Sequence, residues 1–142
     1  MKCFRTILLA LLVICFSFPA GALAAGGKKD AKQKVFFKNL KDGQTITSPF
    51  KVEMGLEGMS VAAAGQVKDG EGHHHIIIDG KPMKAGQVIP ADKNHLHFGT
   101  GQTETQLDLS PGEHTLTLQF ADGLHRSYGK RMASSIKVKV SG

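Results

Sequence analysis

Apolar and polar residues alternate along several short segments of the chain. In FKVEMGL (50–56), the first three apolar side chains are separated by Lys51 and Glu53. The segment IKVKV (136–140) repeats the pattern near the C-terminus. A period of two, rather than 3.6, is typical of half-buried antiparallel β-strands. Because no segment shows a convincing amphipathic helix, the sequence predicts an all-β fold.

Turn signals rich in Gly, Pro and Asp, such as KDGQ (41–44) and SPGE (110–113), separate the apolar segments. Strands and turns of this spacing favour a small immunoglobulin-like antiparallel β-sandwich, with a partly open barrel as the alternative. About seven strands are expected, at residues 35–39, 50–57, 73–79, 95–99, 103–109, 114–120 and 135–140.

Two long loops flank the strand predicted at 73–79. They span residues 58–72 and 80–94, about fifteen residues each. Loops of this length inside a small domain are commonly functional or disordered.

The N-terminal segment has the pattern of a secretory signal. Lys2 and Arg5 precede an apolar run at residues 7–18, and the small residues GALAAGG follow. The run is too short for a membrane-spanning helix, which needs about 20 apolar residues. We therefore expect a periplasmic or secreted mature protein with no integral membrane span. The predicted organisation is a cleaved signal peptide at 1–24, a flexible linker at 25–33 and a single β-sandwich domain at 34–142.

The charged, aromatic and cysteine residues of the chain bear on its partners and on disulfide bonding. The chain has 18 Lys and Arg against 12 Asp and Glu, and the basic residues are spread along it rather than clustered. Aromatic residues make up only 6% of the chain, so nucleic acid is not an expected partner. Both cysteines, Cys3 and Cys15, lie in the predicted signal peptide, so no disulfide framework is expected.

The seven histidines are the main candidate chemistry. Because side chains alternate along a strand, His73 and His75 should share one face, while His74 faces the other side. The same rule places His95 and His97 together in HLHFG. Two His-x-His pairs on strands suit Zn(II) or Cu(II), which bind neutral imidazole nitrogens.

Two further histidines lie outside these pairs. His125, in the loop segment ADGLHRSYG, could bring another imidazole to the end of the sandwich. His114 begins an apolar row after a Pro-Gly turn, and a structural hydrogen-bonding role is the preferred interpretation. The histidines could also join loops and turns without any metal. The candidate metal ligands are His73, His75, His95, His97 and His125.

Three motifs follow one another along the chain: GHHHIIID (72–79), HFGTGQTE (97–104) and LSPGEHTLTLQFADGLHRSYG (109–129). Together they resemble the exported family called domain of unknown function 4399, over about residues 50–140. The resemblance implies a small periplasmic or secreted β-rich domain and assigns no function. It marks His73, His74, His75, His95, His97, Gly99, Gly101, Gln102, Thr103, Glu104, His114, Asp122 and His125.

The sequence supports two functional hypotheses. The first is a periplasmic or secreted small binding protein for a transition metal, copper or zinc, held by clustered histidines. The second is a non-catalytic immunoglobulin-like interaction module that binds a protein or a polymer of the cell envelope and uses its histidines as a structural network. Neither a Gly-x-Ser-x-Gly nucleophile motif nor a phosphate-binding loop is present in the sequence, so an enzyme is not expected.

Overall fold

The computed structural model describes residues 32–141. The predicted signal peptide, most of the predicted linker and Gly142 lie outside the described residues. A short 3-10 helix, Lys130–Met132, precedes the last strand. The strands are β1 (Lys34–Phe37), β2 (Gln44–Thr47), β3 (Phe50–Glu57), β4 (Ser60–Val61), β5 (Glu71–Ile78), β6 (His95–His97), β7 (Glu104–Leu107), β8 (Gly112–Ala121) and β9 (Ala133–Ser141).

The strands form two sheets that pack as a sandwich. One sheet has the order β1-β3-β7, and the other has the order β2-β9-β8-β5-β4, with β6 also paired to β5. The predicted all-β sandwich is confirmed, and each of the seven predicted strands overlaps an observed one. Its immunoglobulin-like character stays a prediction.

Two short strands, β2 and β4, were not expected from the sequence. Each pairs in parallel, β2 with β9 and β4 with β5, so the larger sheet is mixed rather than purely antiparallel as predicted. The segments are only four and two residues long. Alternation cannot identify strands this short, because their pairing depends on the neighbouring strand rather than on a pattern of their own.

The main core lies between the sheets. Apolar side chains of β1, β3 and β7 meet those of β5, β8 and β9 there, and several of them are completely buried. Burial of each large apolar side chain in this layer contributes roughly 1.5 to 3 kcal/mol to the stability of the fold. Its largest fully buried members are Phe120, Met54, Ile76, Leu116, Leu118 and Met132.

Strand β5 is buried on both faces. Ile76 belongs to the main core, whereas Ile77 faces the other side and packs with Met83, Ile89 and Ala121 in a second, smaller cluster. Met83 and Ile89 come from the long loop 80–94, which therefore covers part of the outer face of the larger sheet. The histidines of β5 thus belong to a strand whose two faces are both buried.

No helix among residues 32–141 has the length and apolar character needed to cross a bilayer.

Candidate metal centre

Strand β5 places two buried imidazoles on the outer face of the larger sheet. His73 is 0% exposed and His75 is 2% exposed. Their Nε2 atoms lie 3.0 Å apart, and their ring centroids are separated by 4.8 Å. The predicted alternation is therefore observed, because His74 points to the opposite side and packs edge-on against Phe120 in the main core.

Strand β6 brings a third imidazole to this pair. The antiparallel register aligns His97 with His75, and the two rings stack with centroids 5.1 Å apart. His97 is exposed, so it stands at the solvent side of the group. A side chain at position 99 would disturb it, since a Cβ built on Gly99 would collide with Cε1 and Nε2 of the His97 ring.

A tight turn after β8 supplies the fourth imidazole. The Oδ1 atom of Asp122 accepts hydrogen bonds from the backbone N–H groups of Leu124 and Arg126, at 2.9 and 3.0 Å. The N–H of His125 donates to the carbonyl of Asp122, and His125 itself has a φ of 63°. This turn directs the His125 ring inward, where its Nε2 lies 3.1 Å from Nε2 of His97.

Both long loops hold this turn in place. From loop 80–94, the N–H of Ile89 donates to the carbonyl of His125 at 2.9 Å. From the other loop, the N–H of Gly65 donates to the carbonyl of Gly123, and the N–H of Ala64 donates to that of Gly99, both at 2.8 Å. The two long loops, whose length indicated either function or disorder, thus form backbone hydrogen bonds that support the segments of His97 and His125.

The four rings form one group, which we call the histidine cluster: His73, His75, His97 and His125. All six pairs of ring centroids lie between 4.6 and 5.9 Å apart. For His73, His97 and His125, one ring nitrogen each lies within 4.8 Å of the others, so these three could hold a metal ion; His75 lies outside that group of nitrogens.

The buried rings of the cluster resist protonation. Burial lowers the pKa of His73 to about 4, and the nearby His97 and His125 lower it further, against a small opposing effect of Asp122. Burial, followed by repulsion from His73 and His97, lowers the pKa of His75 to about 3. Burial also lowers the pKa of His97, with His125 as the second cause. These imidazoles are therefore neutral near pH 7, which is the form that binds metals.

The Nδ1 atoms of His73 and His75 have no hydrogen-bond partner within residues 32–141. Gln119 is the cross-strand partner of His75, but its side-chain amide bonds other groups. It accepts from the N–H of Met83 and donates to the carbonyl of Met132. Within residues 32–141, the only hydrogen bond of these two rings therefore joins Nε2 of His73 and Nε2 of His75. One of these nitrogens donates and the other accepts.

The fifth predicted ligand, His95, is not in the cluster. It lies two residues before His97 on β6, but its register partner is Ile77, and its Nδ1 lies 2.8 Å from Oδ1 of Asp92. The structure therefore unites His73, His75, His97 and His125 and places His95 in a separate pair.

His114 has the contacts of a structural histidine. Its Nδ1 lies 2.9 Å from Oδ2 of Asp79 and its Nε2 lies 3.0 Å from the carbonyl oxygen of Ser110. The hydrogen bond with Asp79 raises the pKa of His114, because both ring nitrogens face acceptors and the charged form satisfies both. It joins the end of β5 to the start of β8, far along the strand from the cluster.

The turn-forming role of Asp122 and the steric role of Gly99 were not predicted. The ADG turn signal at residues 121–123 could have indicated the role of Asp122, because an Asp side chain commonly accepts a hydrogen bond from the backbone two residues ahead. The family resemblance marked Gly99 but not its steric role, because the clash depends on where the His97 ring lies.

Comparisons with known proteins add a family but no function. No curated protein matches the chain. Among solved structures, the X-ray structure of the endo-beta-1,4-mannanase from Thermotoga petrophila matches with a TM-score of 0.48 and 18% identity, over 82% of this chain. The chain spans only 21% of that structure, and a likeness this low carries no inference. The model of the family described as domain of unknown function (DUF4399) matches residues 52–141, which include all seven histidines, and the protein belongs to that family.

Proposed function

We propose that the protein is a small exported binding protein for a transition metal, copper or zinc, and that the histidine cluster is its site. The observation that carries the proposal is the convergence of four imidazoles whose Nε2 atoms approach to 3.0 and 3.1 Å in two pairs. The N-terminal signal pattern supports export to the periplasm or the medium.

The nitrogen separations fit coordination. Two nitrogens that bind one ion at about 2.0 to 2.1 Å lie about 2.8 to 3.4 Å apart when the angle at the ion is about 90 to 110°. Both short Nε2 separations fall within this range. The rings are also held by a doubly buried strand and an Asp122-built turn, so an ion would meet ligands that are already positioned.

The ligand set suits zinc and copper better than hard cations. It contains imidazole nitrogens only, and Mg²⁺ and Ca²⁺ prefer oxygen ligands. We propose a binding protein rather than an enzyme.

A metal titration with two matched variants tests the proposal. The tag-free mature chain is treated with chelator, and Zn(II) and Cu(II) affinities are measured by calorimetry with a competing chelator. We expect tight binding that His97→Ala weakens by at least about tenfold, because it removes a ligand rather than an outer partner. His95→Ala is the control, since His95 lies on the same short strand outside the cluster, and its affinity should equal that of the wild type.

Weak binding that His97→Ala leaves unchanged would refute the proposal. The second candidate, an envelope interaction module with a structural histidine network, would then be favoured. One observation supports it: neutral imidazoles in each close pair can donate to and accept from each other without an ion. It predicts equal melting temperatures with and without chelator, whereas a metal bound only by the native state must raise the melting temperature.

A further inference from the structure

The nitrogens that lie close enough together to share one ion belong to three of the four rings. One ring nitrogen each of His73, His97 and His125 lies within 4.8 Å of the others, and the Nε2 atoms of His97 and His125 are 3.1 Å apart. His75 lies outside this group, although its Nε2 lies 3.0 Å from Nε2 of His73. His75 therefore bonds His73 rather than a shared ion, and an ion in the cluster has three protein ligands.

The three rings extend from the interior of the protein to its surface. His73 is completely buried, His125 is partly buried and His97 is exposed. Behind His73, the ring of His75 is only 2% exposed, and the centroids of these two rings are 4.8 Å apart. An ion held by the three nitrogens therefore has protein on its inner side and solvent on the side of His97.

The three ligands leave the charge of a bound ion uncompensated. A metal-bound imidazole is neutral, so three of them leave a divalent ion with its full charge. Asp122, a carboxylate whose charge acts on His73, is paired with Arg126: its Oδ2 accepts from Nε of Arg126 at 2.7 Å. Its Oδ1 accepts two backbone N–H groups of the turn. A negatively charged ligand is therefore favoured at a free position on the ion.

We infer that the histidine cluster binds its ion through three imidazoles, those of His73, His97 and His125, and that the fourth position takes a small anion from the solvent; this rests on the proposed metal-binding function. Zn(II) with three protein ligands keeps its fourth position for water or another small ligand, whereas a structural zinc site has four protein ligands. Water fills this position until an anion displaces it. The protein therefore binds the ion and the anion together.

Cobalt(II) in place of zinc gives the test, because its visible absorption reports its ligands. The chelator-treated chain is loaded with Co(II), and azide is titrated at constant ionic strength against perchlorate, an anion that coordinates metals weakly. We expect a saturable change of the visible band with azide and no change with perchlorate. Calorimetry with the Zn(II)-loaded chain should also show azide binding, which the metal-free chain should lack.

The variant His75→Gln tests the number of protein ligands. Its side-chain amide can still bond His73, so the Co(II) affinity should fall by less than about tenfold and the band should keep its response to azide. His97→Ala removes a ligand, and its Co(II) affinity should fall by more than that. Circular dichroism shows whether each variant is folded, and the azide titration of the wild type decides the open position whatever the stability of the variants.

A wild-type Co(II) band that azide leaves unchanged would overturn the open site and leave the proposed function standing. A folded His75→Gln variant that loses as much Co(II) affinity as His97→Ala would also overturn it, because His75 would then be a fourth ligand. Failure of both Co(II) and Zn(II) to bind the wild type would instead refute the proposed function, and this inference with it.

Discussion

Lowering the pH of the metal-free protein from 7 to 5 should remove much of its stability. Three adjacent histidines of β5 are fully or almost fully buried, and burial is the largest cause of their lowered pKa values: about 4 for His73, about 4 for His74 and about 3 for His75. In the unfolded chain each titrates near 6.5. The unfolded state therefore binds more protons than the native state throughout the interval between these values.

The sign and size follow from this difference. The contribution of each histidine is fully present above pH 6.5 and is lost as the pH falls toward its native pKa, by about 1.4 kcal/mol per pH unit. At pH 5 each has lost about 2 kcal/mol, and the three together about 6 kcal/mol. That is comparable with the whole stability of many domains, about 5 to 15 kcal/mol. His114 has a raised pKa and the opposite sign, so it offsets part of the loss.

Urea unfolding followed by far-ultraviolet circular dichroism, at pH 7, 6 and 5 with chelator present, measures this loss. The variant His74→Phe separates the contributions, because it removes one titrating ring that packs on Phe120 and leaves the cluster intact. Its pH dependence should be smaller by about one third. A wild-type free energy of unfolding that changes by less than about 1 kcal/mol between pH 7 and 5 would refute the reasoning.

Three substitutions probe the site and the core separately. Gly99→Ala should weaken metal binding by at least about tenfold while changing no ligand, because the new Cβ displaces the His97 ring; calorimetry showing wild-type affinity would contradict the steric account. Asp122→Ala should lower both metal affinity and, by about 1 to 3 kcal/mol, stability, since two backbone N–H groups lose their acceptor. Phe120→Ala should lower the free energy of unfolding by about 3 to 5 kcal/mol in a urea titration, because this ring is completely buried in the main core.

Local alternation predicted much of the fold. Strand β3 has the predicted bounds, and the opposite facing of His74 relative to its two neighbours follows from the extended backbone alone. These features depend only on residues close in sequence. The parallel strands β2 and β4 depend on a distant partner strand, which no local pattern specifies.

Local patterns were also unable to specify which histidines come together in the site. Alternation correctly grouped His95 and His97 on one face, but the pairing register of β5 and β6 decided which of them meets the cluster. That register places His95 beside Ile77. The Nδ1 atom of His95 instead lies within hydrogen-bonding distance of Asp92, three residues earlier in the chain. His125 could be named as a candidate, but its position depends on two loops that bond the turn from either side.

The four histidines of the cluster belong to three separate segments, and His97 and His125 are 28 residues apart in sequence. An ion held there would act as a cross-link in a chain that has no cysteine after Cys15. A covalent bridge that closes a loop of about 15 residues is worth about 3 kcal/mol in the chain-entropy account. The strength of this link would follow the free metal concentration rather than the redox potential of the surroundings, so the protein would tighten where the ion is abundant and loosen where it is scarce.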